Sequence, residues 1–78
     1  PGDTTIVLDN EPRSREIIKL MERLIHQEYE LVIWPDTITQ KDINDMVLAG
    51  VKDIQTIIDN NTFSGLEATM KLAAWKRI

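Results

Sequence analysis

The sequence predicts an α/β fold: a right-handed βαβ unit with parallel strands, followed by C-terminal helices. Two short apolar runs, Thr5-Ile6-Val7-Leu8 and Leu31-Val32-Ile33-Trp34, flank a single amphipathic segment. Their apolarity is continuous rather than alternating, which suits strands buried on both faces. Beyond the second run the pattern turns helical and stays so to the end. Strand, helix and strand within about thirty residues, the usual size of a βαβ unit, imply parallel pairing and a right-handed crossover.

Each element has its own signal. Thr5-Ile6-Val7-Leu8 is rich in β-branched residues and stops at Asp9-Asn10-Glu11-Pro12, two acids and a turn-former before a proline. Proline suits a first helical turn, since its missing N–H would find no partner there. Ile17, Met21, Leu24 and Ile25 then share one stripe, so a helix is expected over residues 12–27. Leu31-Val32-Ile33-Trp34 is the second strand, ended by Pro35-Asp36. Thr39 and Asp42 resemble a capping arrangement for a short helix that stops near Ala49-Gly50. Val51, Ile54, Ile57 and Ile58 form a further stripe ending at Asn60-Asn61. Ser64 and Glu67 have the spacing of a capping box, with Phe63 and Ala68 as its staple pair. The last helix carries Leu66, Met70, Ala73 and Ala74 towards Trp75.

With 78 residues the chain allows one small domain. It opens on Pro1 rather than Met, so the sequence reads as a piece of a longer protein. Hydrophobic residues at 42% and charged residues at 28% give an ordinary globular balance, and the scarcity of aromatics leaves the core to Ile, Leu, Val and Met. No run approaches the roughly 18 apolar residues a membrane span needs. The absence of cysteine excludes disulfides and thiolate zinc sites. A net charge of −4 argues against the chain itself being a nucleic-acid grip. The charge is uneven: residues 1–60 carry −6, and the remainder, with Lys71, Lys76 and Arg77 against Glu67, carries +2. Contact with a phosphate backbone is therefore expected at the tail or elsewhere in the parent chain.

Asp9 and Glu11 hold the most chemistry. Ligands of parallel α/β sheets bind beyond the carboxyl ends of the strands, where both acids fall. In extended backbone, alternate side chains point the same way. Mg²⁺ prefers oxygen ligands and usually takes one or two carboxylates, with water and phosphate completing its shell. The competing reading is that acids at a helix N-terminus simply complement the macrodipole.

Ile6-Val7-Leu8-Asp9-Asn10-Glu11 before an amphipathic helix resembles the second motif of Toprim domains: a hydrophobic strand, D-x-D, then a helix. Val32-Ile33-Trp34-Pro35, with Lys41-Asp42-Ile43-Asn44-Asp45-Met46-Val47, resembles the bacterial-primase stretch of strand, proline and K-D-P-D-[DE]-L-[LIV]. Ala49-Gly50-Val51 to Ile57-Ile58 resembles its continuation. Together with Asn10-Glu11-Pro12-Arg13 and the stretch from Gly65-Leu66-Glu67-Ala68 to Trp75-Lys76-Arg77, the chain is most similar to the DNA primases of T-even-type bacteriophages. The resemblance implies a partial Toprim fold, with residues 1–60 as the C-terminal half of the domain and 61–78 as a helix packed on or extending from it. It further implies a parent that synthesises short RNA primers on a single-stranded DNA template from nucleoside triphosphates, in the bacterial host cytoplasm and with a replicative helicase as partner. Asp9 and Glu11 would be its catalytic metal ligands for Mg²⁺ or Mn²⁺. The family's first motif, a strand with a catalytic glutamate, does not occur in these residues, so the isolated piece is expected to be inactive; it is also expected to be monomeric. The second acid of D-x-D is Glu11 here, one methylene longer than aspartate.

Other residues keep two readings. Asp42 is either an additional acid near the metal or the cap of its helix; Asp45 reads as solvated. Arg13 and Arg15 either meet phosphate or nucleic acid, or lie on a solvated helix face. His26 has no Cys, His or acid pair to make a site. Ser14 and Ser64 lack a nucleophile elbow, and no phosphate-binding glycine motif occurs. Trp34 is expected at a buried strand end, and Trp75 on an exposed face as a docking anchor. Two rival functions stay open: another Toprim enzyme, such as a topoisomerase or an OLD-type nuclease, and a non-enzymatic module whose last helix docks on the helicase.

Overall fold

A computed structural model describes residues 3–78. The elements run β1 (Thr5–Ile6), α1 (Arg15–His26), β2 (Glu30–Val32), α2 (Ile43–Leu48), α3 (Ile54–Asn60), β3 (Thr62–Phe63) and α4 (Gly65–Trp75). Strand order is β1-β2-β3. β1 and β2 pair in parallel, with Thr5 opposite Glu30 and Ile6 opposite Leu31, and α1 connects them. The fold is therefore α/β with the βαβ unit that the two apolar runs predict.

Alternation along β2 and the two residues after it organises the interior. Leu31 and Ile33 face a cluster with Ile18 and Met21 of α1 and Ala68, Leu72 and Trp75 of α4. Val32 and Trp34 face the opposite way, onto Ile38 and Met46, with Val51, Ile54, Ile57 and Ile58 packed around them. Both faces of the strand are thus covered, the physical reason its apolarity is unbroken. Burying each such large side chain contributes about 1.5–3 kcal/mol.

Several local expectations change. α1 starts at Arg15 rather than in a first turn containing Pro12. Ser14 N–H donates to the Glu11 carbonyl at 3.0 Å, closing a turn over Pro12 and Arg13, and the Ser14 hydroxyl caps the helix by accepting from Ile17 N–H at 3.2 Å. A third strand also exists in a region read as wholly helical: Leu31 pairs antiparallel with Phe63 and Val32 with Thr62. Phe63 is therefore a strand residue supporting the first cluster.

Ser64 occupies the cap position of α4 but makes no side-chain cap hydrogen bond. Gly65, directly after it, has φ +57, so the backbone leaves Ser64 in a left-handed step. A capping box needs helical geometry at that position to bring the N–H groups beneath the hydroxyl. α2 ends as its glycine predicts: Gly50, at φ +81, and Val51 donate to Val47 and Met46 carbonyls at 3.1 and 2.9 Å, a Schellman stop.

Trp75 is only 7% exposed and belongs to the core, not to a free surface. Its helix packs on α1, and its indole N–H finds an internal partner, which makes burial of the ring affordable.

Candidate functional site

The segment from Leu8 to Pro12 lies beyond β1, at the ligand-binding end expected of the parallel pair. Other parts of the chain fasten it at many points. Trp34 donates its indole N–H to the Leu8 carbonyl at 3.1 Å. The backbone N–H of Asn10 donates to the Lys41 carbonyl at 2.6 Å, and Arg77 N–H donates to the Pro12 carbonyl at 2.8 Å.

Asn10 is the centre of this framework. Its amide nitrogen donates to the Ile38 and Gln40 carbonyls, both at 3.0 Å, and its Oδ1 accepts from the Trp75 indole N–H at 3.0 Å. The two carbonyls can only accept and the indole can only donate, so the chemistry of the partners dictates the amide's orientation. The contact joins residues 65 positions apart and ties α4 to the turn between the two acids.

The acids themselves are held differently. Asp9 is exposed, and among the described residues its carboxylate enters no hydrogen bond or ion pair. Glu11 is half-buried and stands 3.8 Å from Lys41 Nζ, a long, solvent-screened ion pair of little energetic weight. Asp42 is the N-cap of α2, its Oδ1 accepting from Asp45 N–H at 2.8 Å. Asp45 is exposed in the first turn of that helix. Among the described residues no group of three Asp, Glu, His or Cys side chains gathers closely enough to hold a metal ion. Asp9 and Glu11 are thus a pair of oxygen donors on one braced turn, not part of a closed cage. That donor set fits a hard cation whose remaining positions are taken by water or phosphate.

The two arginines separate. Arg13 shares a shallow depression with Glu11, Pro12 and Ser14. Arg15 opens onto another depression with Lys19, Glu22 and Lys76, on the α1–α4 side. Arg77 is occupied at home: its Nη1 donates to the carbonyls of Ala74, Trp75 and Lys76, closing the end of α4. His26 is exposed at the end of α1.

Three contributors were not legible as site residues: Asn10 as the brace, Lys41 as the partner of Glu11, and Trp75 as the clamp. Lys41 stands in the K-D-x-x-D stretch, where attention falls on the acids. Asn10 sits between two acids and reads as an ordinary turn-former. Its role depends on carbonyls 28 and 30 residues away, which local pattern does not reveal.

No family model matches the chain. A curated relative does: the chain is 36% identical over 76 residues to the DNA primase of Enterobacteria phage T4. The match takes in 92% of this chain, which spans about a fifth of that protein's length (22%). The match supports a primase-like relationship.

Proposed function

We propose that this chain is the C-terminal part of a Toprim-type catalytic domain in a DNA primase, and that Asp9 and Glu11 are its metal-binding acids. The similarity to the phage primase along nearly the whole chain carries this reading. Asp9, exposed on a braced turn and without a side-chain partner among the described residues, supports it.

In the parent protein the reaction would join the 3′ oxygen of an RNA primer to the α-phosphorus of an incoming nucleoside triphosphate, with pyrophosphate leaving. A bound Mg²⁺ or Mn²⁺ would supply neutralisation of the charge on the phosphates. Asp9 would offer it a carboxylate that has no competing partner among the described residues. Glu11, two residues on, would hold the cation as the second carboxylate in place of its weak pairing with Lys41. The Lys41 ammonium and Arg13, both near Glu11, would then be available as partners for phosphate oxygens. Asp42 takes no direct part in this reading, because its carboxylate is engaged by the α2 backbone.

The test uses the full-length parent. Asp9→Asn keeps size and removes charge, so primer synthesis on single-stranded DNA is expected to fall by orders of magnitude, about 100-fold or more, with folding little changed. Wild-type primer yield from that variant would overturn the assignment and leave Asp9 as a helix-terminus acid.

A helicase contact in the same parent would fall on the outer side of α4. Leu66 and Met70, one turn apart, are 77% and 66% exposed, whereas Trp75 is committed to the core. Deleting residues 62–78 would remove β3 and a core helix, so it does not isolate docking. A Leu66→Ser, Met70→Ser double variant does. Lost helicase binding with intact primer synthesis on naked template is the expected result; unchanged helicase binding would remove α4 from that role.

A further inference from the structure

We infer that Asn10 is the positioning residue of the acid turn and that Trp75 makes α4 a part of the metal site through it, an inference that rests on Asp9 and Glu11 being the cation's ligands. Neither Asn10 nor Trp75 touches the cation in this account. Each acts on the backbone that carries the two carboxylates.

The geometry supports this more strongly than it supports a packing role alone. Every hydrogen-bonding group of the Asn10 side chain that the structure engages has a partner from a different segment: Ile38 and Gln40 from the connection before α2, and Trp75 from the end of α4. Its backbone N–H adds Lys41, whose side chain faces Glu11. Two distant pieces of chain, the 38–41 connection and the end of α4, thus converge on the one residue between the acids. Lone acids on a free loop lose conformational entropy when a cation gathers them, and a pre-braced turn has already lost it. Aspartate at position 10 would not substitute, since a carboxylate facing two carbonyl oxygens has no proton to donate to either.

The clamp makes a directional statement about α4. The helix carries Ala68 and Leu72 in the core and Trp75 at its end, so its seating sets where the indole N–H stands. Arg77 N–H, two residues on, holds the Pro12 carbonyl on the far side of the acids. The acid turn is consequently gripped at its middle and its far end by the C-terminal segment, while Trp34 holds Leu8 at the near end, although neither contributes a ligand.

The experiment compares the 78-residue chain with its Trp75→Phe variant, using Mg²⁺ as the probe. Phenylalanine retains an aromatic ring in the core and deletes the N–H that reaches Asn10. Two readouts are taken by NMR: hydrogen exchange at the Asn10 amide, and the Mg²⁺ dependence of the amide signals of residues 9–11. Loss of one hydrogen bond corresponds to about a five-fold change in a local equilibrium. Asn10 exchange is expected to rise by about that factor relative to the core amide of Leu31, and the Mg²⁺ midpoint to move up several-fold. Asn10→Ala should show both effects more strongly. If Trp75→Phe cannot fold, Asn10→Ala supplies the same pair of readouts, with Trp75 intact in the core.

Equal exchange or equal Mg²⁺ midpoints in variant and wild type would overturn the positioning role while leaving the ligand assignment standing. Exchange that rises equally at Asn10 and Leu31 would also overturn it, because a general loss of stability would then explain the change. Wild-type signals at residues 9–11 that ignore Mg²⁺ would overturn the ligand assignment, and this inference with it.

Discussion

The turn after β1 and the turn before α2 both present aspartates, but they spend them in opposite ways. Asp42 gives its carboxylate to the backbone, accepting from Asp45 N–H at 2.8 Å to start α2. The Asp9 carboxylate has no partner among the described residues: its turn is held by Glu11 N–H donating to the Asp9 carbonyl and by Trp34, Lys41, Trp75 and Arg77 acting on its neighbours, and its side chain stays exposed. The difference separates an acid whose carboxylate builds structure from one whose carboxylate, among the described residues, stays unengaged. Two residues with the same side chain, each near the N-terminal end of a helix, are distinguished only by what their oxygens already accept.

The largest stability effect that sharpens this comparison belongs to Asp42. Asp42→Ala should lower unfolding free energy by about 1 kcal/mol, the usual cost of losing an N-cap. Thermal or urea denaturation of the 78-residue chain checks it, and no measurable loss would mean that the cap contributes nothing. Smaller effects are expected where no bond is lost. Asp9→Asn and Ser64→Ala should each change stability by less than about 0.5 kcal/mol, as for surface positions without a special contact. For Ser64 the small value follows from the left-handed Gly65, which leaves the hydroxyl without a cap bond. A loss near 1 kcal/mol at Ser64 would show that the capping box forms in solution after all.

Much of the framework was legible because it rests on local pattern. The apolar runs at Thr5-Ile6-Val7-Leu8 and Leu31-Val32-Ile33-Trp34 locate β1 and β2, and Leu31 to Trp34 alternate between two buried clusters, but β1 is an edge strand with Thr5 and Val7 exposed, not buried on both faces. The stripe of Val51, Ile54, Ile57 and Ile58 does pack on the second cluster, and Gly50 does stop α2. What escaped was non-local. β3 is two residues long, and pairing with β2, not its own composition, makes Thr62 and Phe63 a strand. Trp75 looks like a surface anchor beside basic residues until Asn10 supplies a partner for its N–H.

The same division runs through the site. That acids follow β1 is visible in the sequence, as is the family resemblance that singles out Asp9 and Glu11. That Asp42 is already engaged, that Arg13 and Arg15 open onto different depressions, and that Asn10 braces the turn are properties of the folded chain. Side-chain hydrogen bonds to distant carbonyls leave no periodic trace, so spacing rules pass over them.

The central claim is that Asp9 and Glu11, and not the equally acidic start of α2, receive the cation. It is tested most directly by titrating the 78-residue chain with Mg²⁺ and following the amide signals of residues 9–11 and 42–45 together. The account predicts weak, saturable shifts at residues 9–11, little change at 42–45, and loss of the response in Asp9→Asn. Shifts that appear first at 42–45, or that persist unchanged in Asp9→Asn, would contradict it.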